Sequence, residues 1–218
     1  MNPAALFDPA SAAIVLGGTA LATLLRCGLG DCRLAAAALA QTGSKRFDPQ
    51  RTKAELAVQV REIQQDGLLR AHPHHFGDRE FDEATDALIG RRSVAALLAA
   101  HESHKARRIA ASTHAAATWA QAAELAPVFG LAGTLISLSQ LPAQGLGGGS
   151  YTGAIAMAVL TTLYGLLLAN LVLAPLARVV DRAAATEEGE RQAIVDWLAA
   201  KVAPAMPQRR SKALGEAA

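Results

Sequence analysis

The sequence predicts an all-α integral membrane helical bundle with three transmembrane helices and a helical cytoplasmic insert. Three observations carry that expectation. From Leu125 to Ala177 the chain runs 53 residues without Asp, Glu, Lys, Arg or His. A bilayer core takes about 20 apolar residues per helix, so this run holds two spans joined by the turn Gln144-Gly-Leu-Gly-Gly-Gly-Ser150. All 21 Lys and Arg fall in two blocks, Arg26 to Arg108 and Arg178 to Lys212. Hydrophobic residues make up 51% of the chain and aromatics only 4%, so the apolar mass is Ala and Leu, which suits closely packed helices. No segment alternates with the period of two that a strand requires.

The first span is expected from Ala10 to about Cys27, opened by Asp8-Pro9 as N-cap and first-turn proline. A secretory signal peptide would need a basic n-region, and no Lys or Arg precedes Arg26. The positive-inside rule then puts both basic blocks in the cytoplasm, and the N-terminal ten residues and the Gly-rich turn on the opposite face. One span before the first block and two between the blocks satisfy that pattern. The organisation follows: 1–27 as first transmembrane helix, 28–120 as cytoplasmic helical insert, 121–177 as a transmembrane hairpin, and 178–218 as a cytoplasmic helix and flexible tail. Cys27 and Cys32 are too few and too close for a disulfide framework and are expected as free thiols.

The insert is helical and amphipathic. Leu34, Leu39, Leu56, Val60, Ile63, Leu68 and Leu69 recur at spacings of three to five among many charges. Val94, Leu97 and Leu98 mark a further helix running through Ile109 and Trp119 towards the membrane. Breaks fall at Gly43-Ser44, around Asp48-Pro49, and at His72-Pro73-His74-His75. His101 and His104 sit at i and i+3, as zinc ligands can, but no Cys partner or carboxylate pattern accompanies them. They are expected on a polar helix face, with no metal and no cofactor. The acidic cluster Asp78, Glu80, Asp82, Glu83, Asp86 is expected as a solvated face, its functional alternative being a docking surface for a basic partner. Near the end, Ala193, Ile194, Trp197, Leu198 and Val202 form a weak apolar stripe. The net charge of +2, with no basic stripe interleaved with aromatics, gives no case for nucleic acid. No P-loop, Gly-x-Ser-x-Gly or His-Glu-x-x-His motif is present, so no enzyme is expected.

Within the charge-free block the first helix reads Ala126 to Gln140 and the second Gly153 to Leu173, ending at Pro175. Gly130, Gly133, Ser137, Ala154, Ala158, Thr161, Gly165 and Ala169 place small residues at three- and four-residue steps, which lets helix backbones approach closely in lipid. Thr134, Thr161, Thr162 and Asn170 are the polar exceptions. A hydroxyl at that depth either bonds its own helix carbonyl or lines a hydrated path. A proton path through hydrocarbon needs an ionisable resting point, and this block has none. Either the segment conducts nothing or a partner helix supplies the carboxylate. Pro127 and Pro175, near the cytoplasmic ends of their helices, free a carbonyl and permit bending.

Leu125-Ala-Pro-Val-Phe-Gly-Leu-Ala-Gly-Thr-Leu-Ile136, Ala156-Met-Ala-Val-Leu-Thr-Thr-Leu-Tyr-Gly-Leu-Leu-Leu-Ala-Asn-Leu171 and Ala174-Pro175 resemble the last two helices of the MotA/TolQ/ExbB proton-channel family, most closely its flagellar stator member MotA. Phe7-Asp-Pro-Ala-Ser-Ala-Ala-Ile-Val-Leu-Gly-Gly-Thr19 is similar to the second MotA helix, and Asp66-Gly-Leu-Leu69 to its cytoplasmic insert. The resemblance implies a homo-oligomeric ring of five subunits in the bacterial inner membrane, around two copies of a single-span MotB-, ExbD- or TolR-like partner that carries a membrane Asp. By that resemblance Thr134 and Thr162 lie near the partner carboxylate, and Thr161, polar at the same depth, is expected with them along the ion path. Pro127 and Pro175 couple proton passage to the cytoplasmic region, and Gly130, Gly133, Gly165 and Ala169 pack the helices. The implied function is a stator-type subunit that couples the proton motive force to mechanical work, with a cytoplasmic rotor protein as a further partner.

Two departures temper the likeness. MotA has a helix before the segment matched at Phe7; either the start is assigned too late here or this is a three-span variant, the span count also found in TolQ and ExbB. The Arg and Glu that MotA uses against the rotor fall here at Gln64 and His72. The alternatives are therefore a TolQ/ExbB-like energiser of envelope transport and, from another class, a non-conducting membrane scaffold.

Overall fold

The structure is a computed structural model that describes residues 8–44, 47–67, 70, 74–75, 77–140 and 148–205. Residues 1–7, Leu68, Leu69, His72, most of the Gly-rich turn and the tail from Pro207 lie outside the described residues. The helices are α1 (Pro9–Ser44), α2 (Pro49–Asp66), α3 (Arg79–Arg91), α4 (Val94–Ser139), α5 (Gly148–Leu167) and α6 (Ala174–Val202). A π-helical segment, Leu168–Leu173, joins α5 to α6, and a 3₁₀ turn, Ala203–Ala205, follows α6. Among the described residues there is no strand. Three stretches are long and apolar enough to cross a membrane: Pro9–Gly43, Val94–Ser139 and Thr152–Ala205.

The chain divides into two compact units, Met1–Arg46 with Ile109–Ala185, and Phe47–Arg108 with Thr186–Ala218. In the first, α1 begins as its sequence dictates. Asp8 accepts the Ser11 backbone N–H at 2.9 Å and also the Ser11 hydroxyl, and Pro9 occupies the first helical position, where no N–H is needed. α1 extends to Ser44 rather than stopping near Cys27, yet its regular course does break there. Gly28 has φ 84° and ψ 162°, which a residue with a Cβ adopts only under strain. Beyond the break, Ala35 packs with Ala115, Ala116 and Val180, and the Trp119 indole donates to the Ala35 carbonyl at 3.1 Å. Leu16, Leu21, Leu25 and Leu29 remain exposed along α1, as a lipid-facing surface requires.

The Asp8 cap carries a pH signature. The Ser11 hydroxyl first, then its backbone N–H, hold the Asp8 carboxyl below the ordinary Asp range. Because the folded value is depressed, the cap stabilises α1 above the unfolded value, and the contribution is lost as pH falls through the folded one. Ser11→Ala is expected to move that acid loss to higher pH, read as α1 helicity by circular dichroism. Asp8→Ala should cost about 1 kcal/mol at neutral pH.

In the second unit, α2 starts at Asp48, whose carboxylate accepts from Gln50 N and Arg51 N at 3.1 Å, with Pro49 next. α3 is capped by Asp78 and ends at Arg92 in the left-handed region. Val60, Ile63, Ala84, Leu88, Leu97, Leu198 and Val202 form the main core, and Leu56, Phe81, Ile194 and Val195 a second cluster. Burying each of those Leu or Ile side chains stabilises the unit by roughly 1.5–3 kcal/mol. The stripe expected as weak near the C-terminus is therefore core: Val195, Leu198 and Val202 are fully buried.

The acidic cluster is not a free docking face. Asp78 pairs with Arg191 at 2.9 Å, Glu80 with Arg108, Glu83 with Arg79 at 2.7 Å and with His104 at 2.9 Å, and Asp86 with His75 at 3.2 Å. The Arg79 hydrogen bond, with His104 adding to it, holds the Glu83 carboxyl below the ordinary Glu value. His101 and His104, expected on a polar surface, are buried among Glu188, Gln192, Glu80 and Glu83.

Candidate functional site

The site is built by the absence of side chains. Where α4 meets α5, a Cβ placed on Gly165 would lie 2.7 Å from the Ala126 carbonyl oxygen and 3.1 Å from Gly130 Cα. One on Gly130 would lie 3.0 Å from the Thr161 carbonyl oxygen, and one on Gly133 would lie 2.7 Å from Thr161 Cγ2 and 3.3 Å from Ile14 of α1. On α1 itself, a Cβ at Gly18 would fall into the Phe129 ring. Lipid gives no hydrophobic drive for helices to associate, so such close backbone approach and the dispersion contacts it brings are the cohesive terms. One turn beyond Gly165, Ala169 packs with Ala122, Ala126 and Leu173.

That approach brings two of the three predicted path threonines together. The hydroxyls of Thr134 on α4 and Thr162 on α5 are 2.8 Å apart. Both reach the carbonyl of Ala158, Thr134 at 3.3 Å and Thr162 at 3.2 Å, while Thr134 also reaches Gly130 O at 3.0 Å. Thr161 is not part of this pair. Its side chain is fully buried against Gly133, and its hydroxyl donates to Ala158 O at 3.0 Å. Ala158, which carries no chemistry in its side chain, is thus the shared acceptor for three hydroxyls. The sequence offered a signal for it, since threonines at 161 and 162 reach back three and four residues to one carbonyl.

The pair lies in an open groove of about 430 Å³ lined by Thr134, Leu138, Ile155, Ala158, Val159, Thr162, Leu163 and Leu166. Everything in that lining is apolar except the two hydroxyls. A hydroxyl has one proton and two lone pairs. Thr134, with three acceptors in range, can turn its proton inward to a carbonyl and present a lone pair outward, or do the reverse. The groove can therefore receive an apolar helix bearing one polar atom, and can act as donor or acceptor to that atom.

The prolines occupy different settings. Pro127 lies inside α4 and leaves the carbonyl four residues earlier without a helical donor. Pro175, expected to end its helix, does not. The chain widens into the π segment Leu168–Leu173, the Ala174 N–H bonds to Ala169 O five residues back, and α6 continues to Val202. The widened turn takes up the missing donor and the ring's steric demand, so the helix survives its proline.

The sequence model of the MotA/TolQ/ExbB proton channel family matches residues 73–193. A relative in Bacillus subtilis (strain 168), the uncharacterized protein YtxD, is 34% identical over 119 residues, which are 54% of this chain and 39% of that protein. The match therefore spans well under half the length of that curated relative. Among solved structures, the flagellar MotAB stator complex from Bacillus subtilis superposes with a TM-score of 0.80 at 17% identity, covering 91% of this chain and 79% of that one. The C. jejuni MotAB structure gives 0.80 at 17% identity, covering 95% and 82%. At those identities the likeness is one of fold.

Proposed function

Because the chain belongs to the MotA/TolQ/ExbB proton channel family, we propose that it forms the wall of a proton path completed by a single-span partner of the MotB, ExbD or TolR kind. The partner's helix occupies the Thr134–Thr162 groove and brings the membrane carboxylate that this chain lacks. Several copies, five by analogy with the family, surround that partner in the bacterial inner membrane. The N-terminal end of α1 faces the periplasm and the C-terminus the cytoplasm, as the placement of every Lys and Arg favours.

One observation carries this reading: a hydroxyl pair 2.8 Å apart, open to an apolar groove within a block that has no Asp, Glu, Lys, Arg or His. An ionised carboxylate there needs donors, and a protonated one is itself a donor. The two threonines answer both states by rotating their protons between the partner and Ala158 O. Each protonation change thus alters what the groove prefers to hold, and shifts the population of helix arrangements. Pro127 and Pro175, with the π segment, are the places where α4 and α6 yield to such a change. The work done in this way is mechanical, as in a stator.

The test is proton flux into vesicles carrying this chain and its candidate partner, comparing wild type with Thr162→Val. That swap keeps the shape and removes the hydroxyl. Flux is expected to fall about tenfold, the equivalent of one hydrogen bond of roughly 1.4 kcal/mol. Flux from wild type with no partner of any kind would overturn the shared-path reading. Unchanged flux in the variant would remove Thr162 from it.

A further inference from the structure

We infer that His101 and His104 form a proton-operated latch in the second unit: neutral, they leave a buried carboxylate oxygen unpaired, and charged, they bind α4 to α3 and α6. The inference stands on contacts within that unit. Only the compartment it senses, the cytoplasm, rests on the functional reading above.

Both rings are buried, His101 at 6% and His104 at 8% exposed, and their contacts fix their protons. Lys105 Nζ, which can only donate, lies 3.2 Å from one side-chain atom of Gln192, so that atom is the amide oxygen. The amide nitrogen donates to Asp196 at 3.0 Å. His101 Nε2 lies 3.3 Å from the same oxygen and therefore carries a hydrogen. On His104, an Arg107 nitrogen lies 3.3 Å from Nδ1. A guanidinium has no acceptor, so Nδ1 holds a lone pair and His104 is the neutral imidazole, with its Nε2–H donated to Glu83 at 2.9 Å.

The carboxylates facing the rings are only partly satisfied. Glu188 of α6 accepts from Arg108 at 3.1 and 2.8 Å, both through Oε2. Among the described residues its Oε1 is buried without a hydrogen-bond partner, and His101 Nε2 stands 3.7 Å from it. Glu80 of α3 pairs with Arg108, lies 3.7 Å from Arg191, and stands 3.9 Å from His104 Nδ1. A second proton on His104 goes to Nδ1, where it expels Arg107 and meets Glu80. A second proton on His101 makes that ring a cation beside Glu188 Oε1. Burial alone disfavours an imidazolium. Here the new charge compensates a carboxylate oxygen that burial has left bare, and a buried uncompensated charge is the costlier of the two.

The other charges around the rings are engaged with one another. On α3, Arg79 bonds Glu83, and Asp78 bonds Arg191. On α6, Arg191 also bonds Glu187. On α4, Lys105 stands 3.8 Å from Glu102. On α2, Glu55 and Glu62 pair with Arg51 and His74. Carboxylates, amines and guanidiniums keep their charge between about pH 8 and about pH 6, whereas imidazoles gain theirs. Each proton comes from solvent and returns to it. The folded unit then takes up more protons on acidification than the unfolded chain does, so its stability rises as pH falls through that window. The grip of α3 and α6 tightens on α4, the helix that also carries Thr134.

The experiment is chemical denaturation of the full chain in mild detergent at pH 8 and pH 6. It is done in a Trp119→Phe background, which leaves Trp197 as the one tryptophan reporter. The folding equilibrium constant of the second unit is expected to be about tenfold larger at pH 6 than at pH 8, the equivalent of one proton bound about one pH unit more tightly. His101→Gln and His104→Gln should each remove about half of that response on a logarithmic scale, and the double variant should bring it within about twofold. His74 and His75, paired with Glu62 and Asp86, remain in every variant and cancel from the comparison. Glu188→Gln removes the bare charge and should raise stability at pH 8 while diminishing the pH response. A double variant that responds to pH as the parent does would overturn the inference, as would a parent that loses stability on acidification. Should the double variant not fold, the Glu188→Gln arm decides, and an undiminished response there overturns the inference. Proton flux enters none of these readouts, so failure here is distinct from failure of the shared-path reading.

Discussion

Gly165→Leu is expected to dismantle the α4–α5 hairpin, with complete loss of flux and of partner binding. The position faces backbone, not flexible side chains: the Ala126 carbonyl oxygen, Gly130 Cα and Pro127 Cα are the atoms a new side chain would meet. Backbone cannot move aside one helix at a time, because Gly130 is itself pressed on the carbonyl of Thr161. Overpacking a tight contact costs about 1–3 kcal/mol when neighbours can shift, and here they cannot, so the upper end applies. Even Gly165→Ala should separate the helices enough to pull the Thr134 and Thr162 hydroxyls out of hydrogen-bond range. The control is Gly153→Leu on the same helix, where nothing lies within 4 Å of a new Cβ. Both variants would be followed by size-exclusion profile in mild detergent and by recovery of the partner. A Gly165→Leu chain that behaves like Gly153→Leu would show that close approach is not what positions the threonine pair.

The second large effect lies in the other unit. Arg191→Ala should destabilise it by about 3 kcal/mol or more, because removing one partner of a mostly buried ion pair leaves the others uncompensated. The guanidinium is 11% exposed and bonds Asp78 and Glu187, each at 2.9 or 2.8 Å. It also lies over the rings of Phe47 and Phe81, at 4.2 and 5.5 Å, and those rings stack on each other at 5.9 Å. Asp78 is at the same time the N-cap of α3, so the loss reaches the start of that helix. Arg191→Lys should recover little, since an ammonium cannot lie flat on two rings and bond two carboxylates at once. Chemical denaturation followed by tryptophan emission reports it directly, because Trp197 packs on both core clusters of this unit. A midpoint unchanged by Arg191→Ala would mean that the pairs are solvent-screened and contribute nothing measurable.

How far the sequence revealed this depends on the kind of signal. The spans were legible because length and charge exclusion are properties of a chain in a bilayer, independent of how the helices pack. The course of α1 beyond Cys27 was not legible: the helix continues to Ser44 where a span end was expected, and it breaks at Gly28, which takes a positive φ without strain. Pro175 misled for a physical reason: a proline ends a helix that must keep α geometry, and this helix adopts π geometry ahead of it instead. The acidic cluster and the two histidines misled because their partners, Arg108, Glu188 and Arg191, are remote in sequence and meet them only through the fold. Thr161 and Thr162 are neighbours in sequence but about 100° apart around the helix. No reading of spacing alone settled which of them faces Thr134.

The π segment has one more consequence. A π turn takes in one residue more than an α turn. Were Leu168–Leu173 to tighten to α geometry, that residue would be paid out below it. The helix from Ala174 onward would screw through about 100° and travel about 1.5 Å along its own axis, with no hinge opening anywhere. A change confined to six residues of backbone would thereby appear as rotation of the helix beyond them.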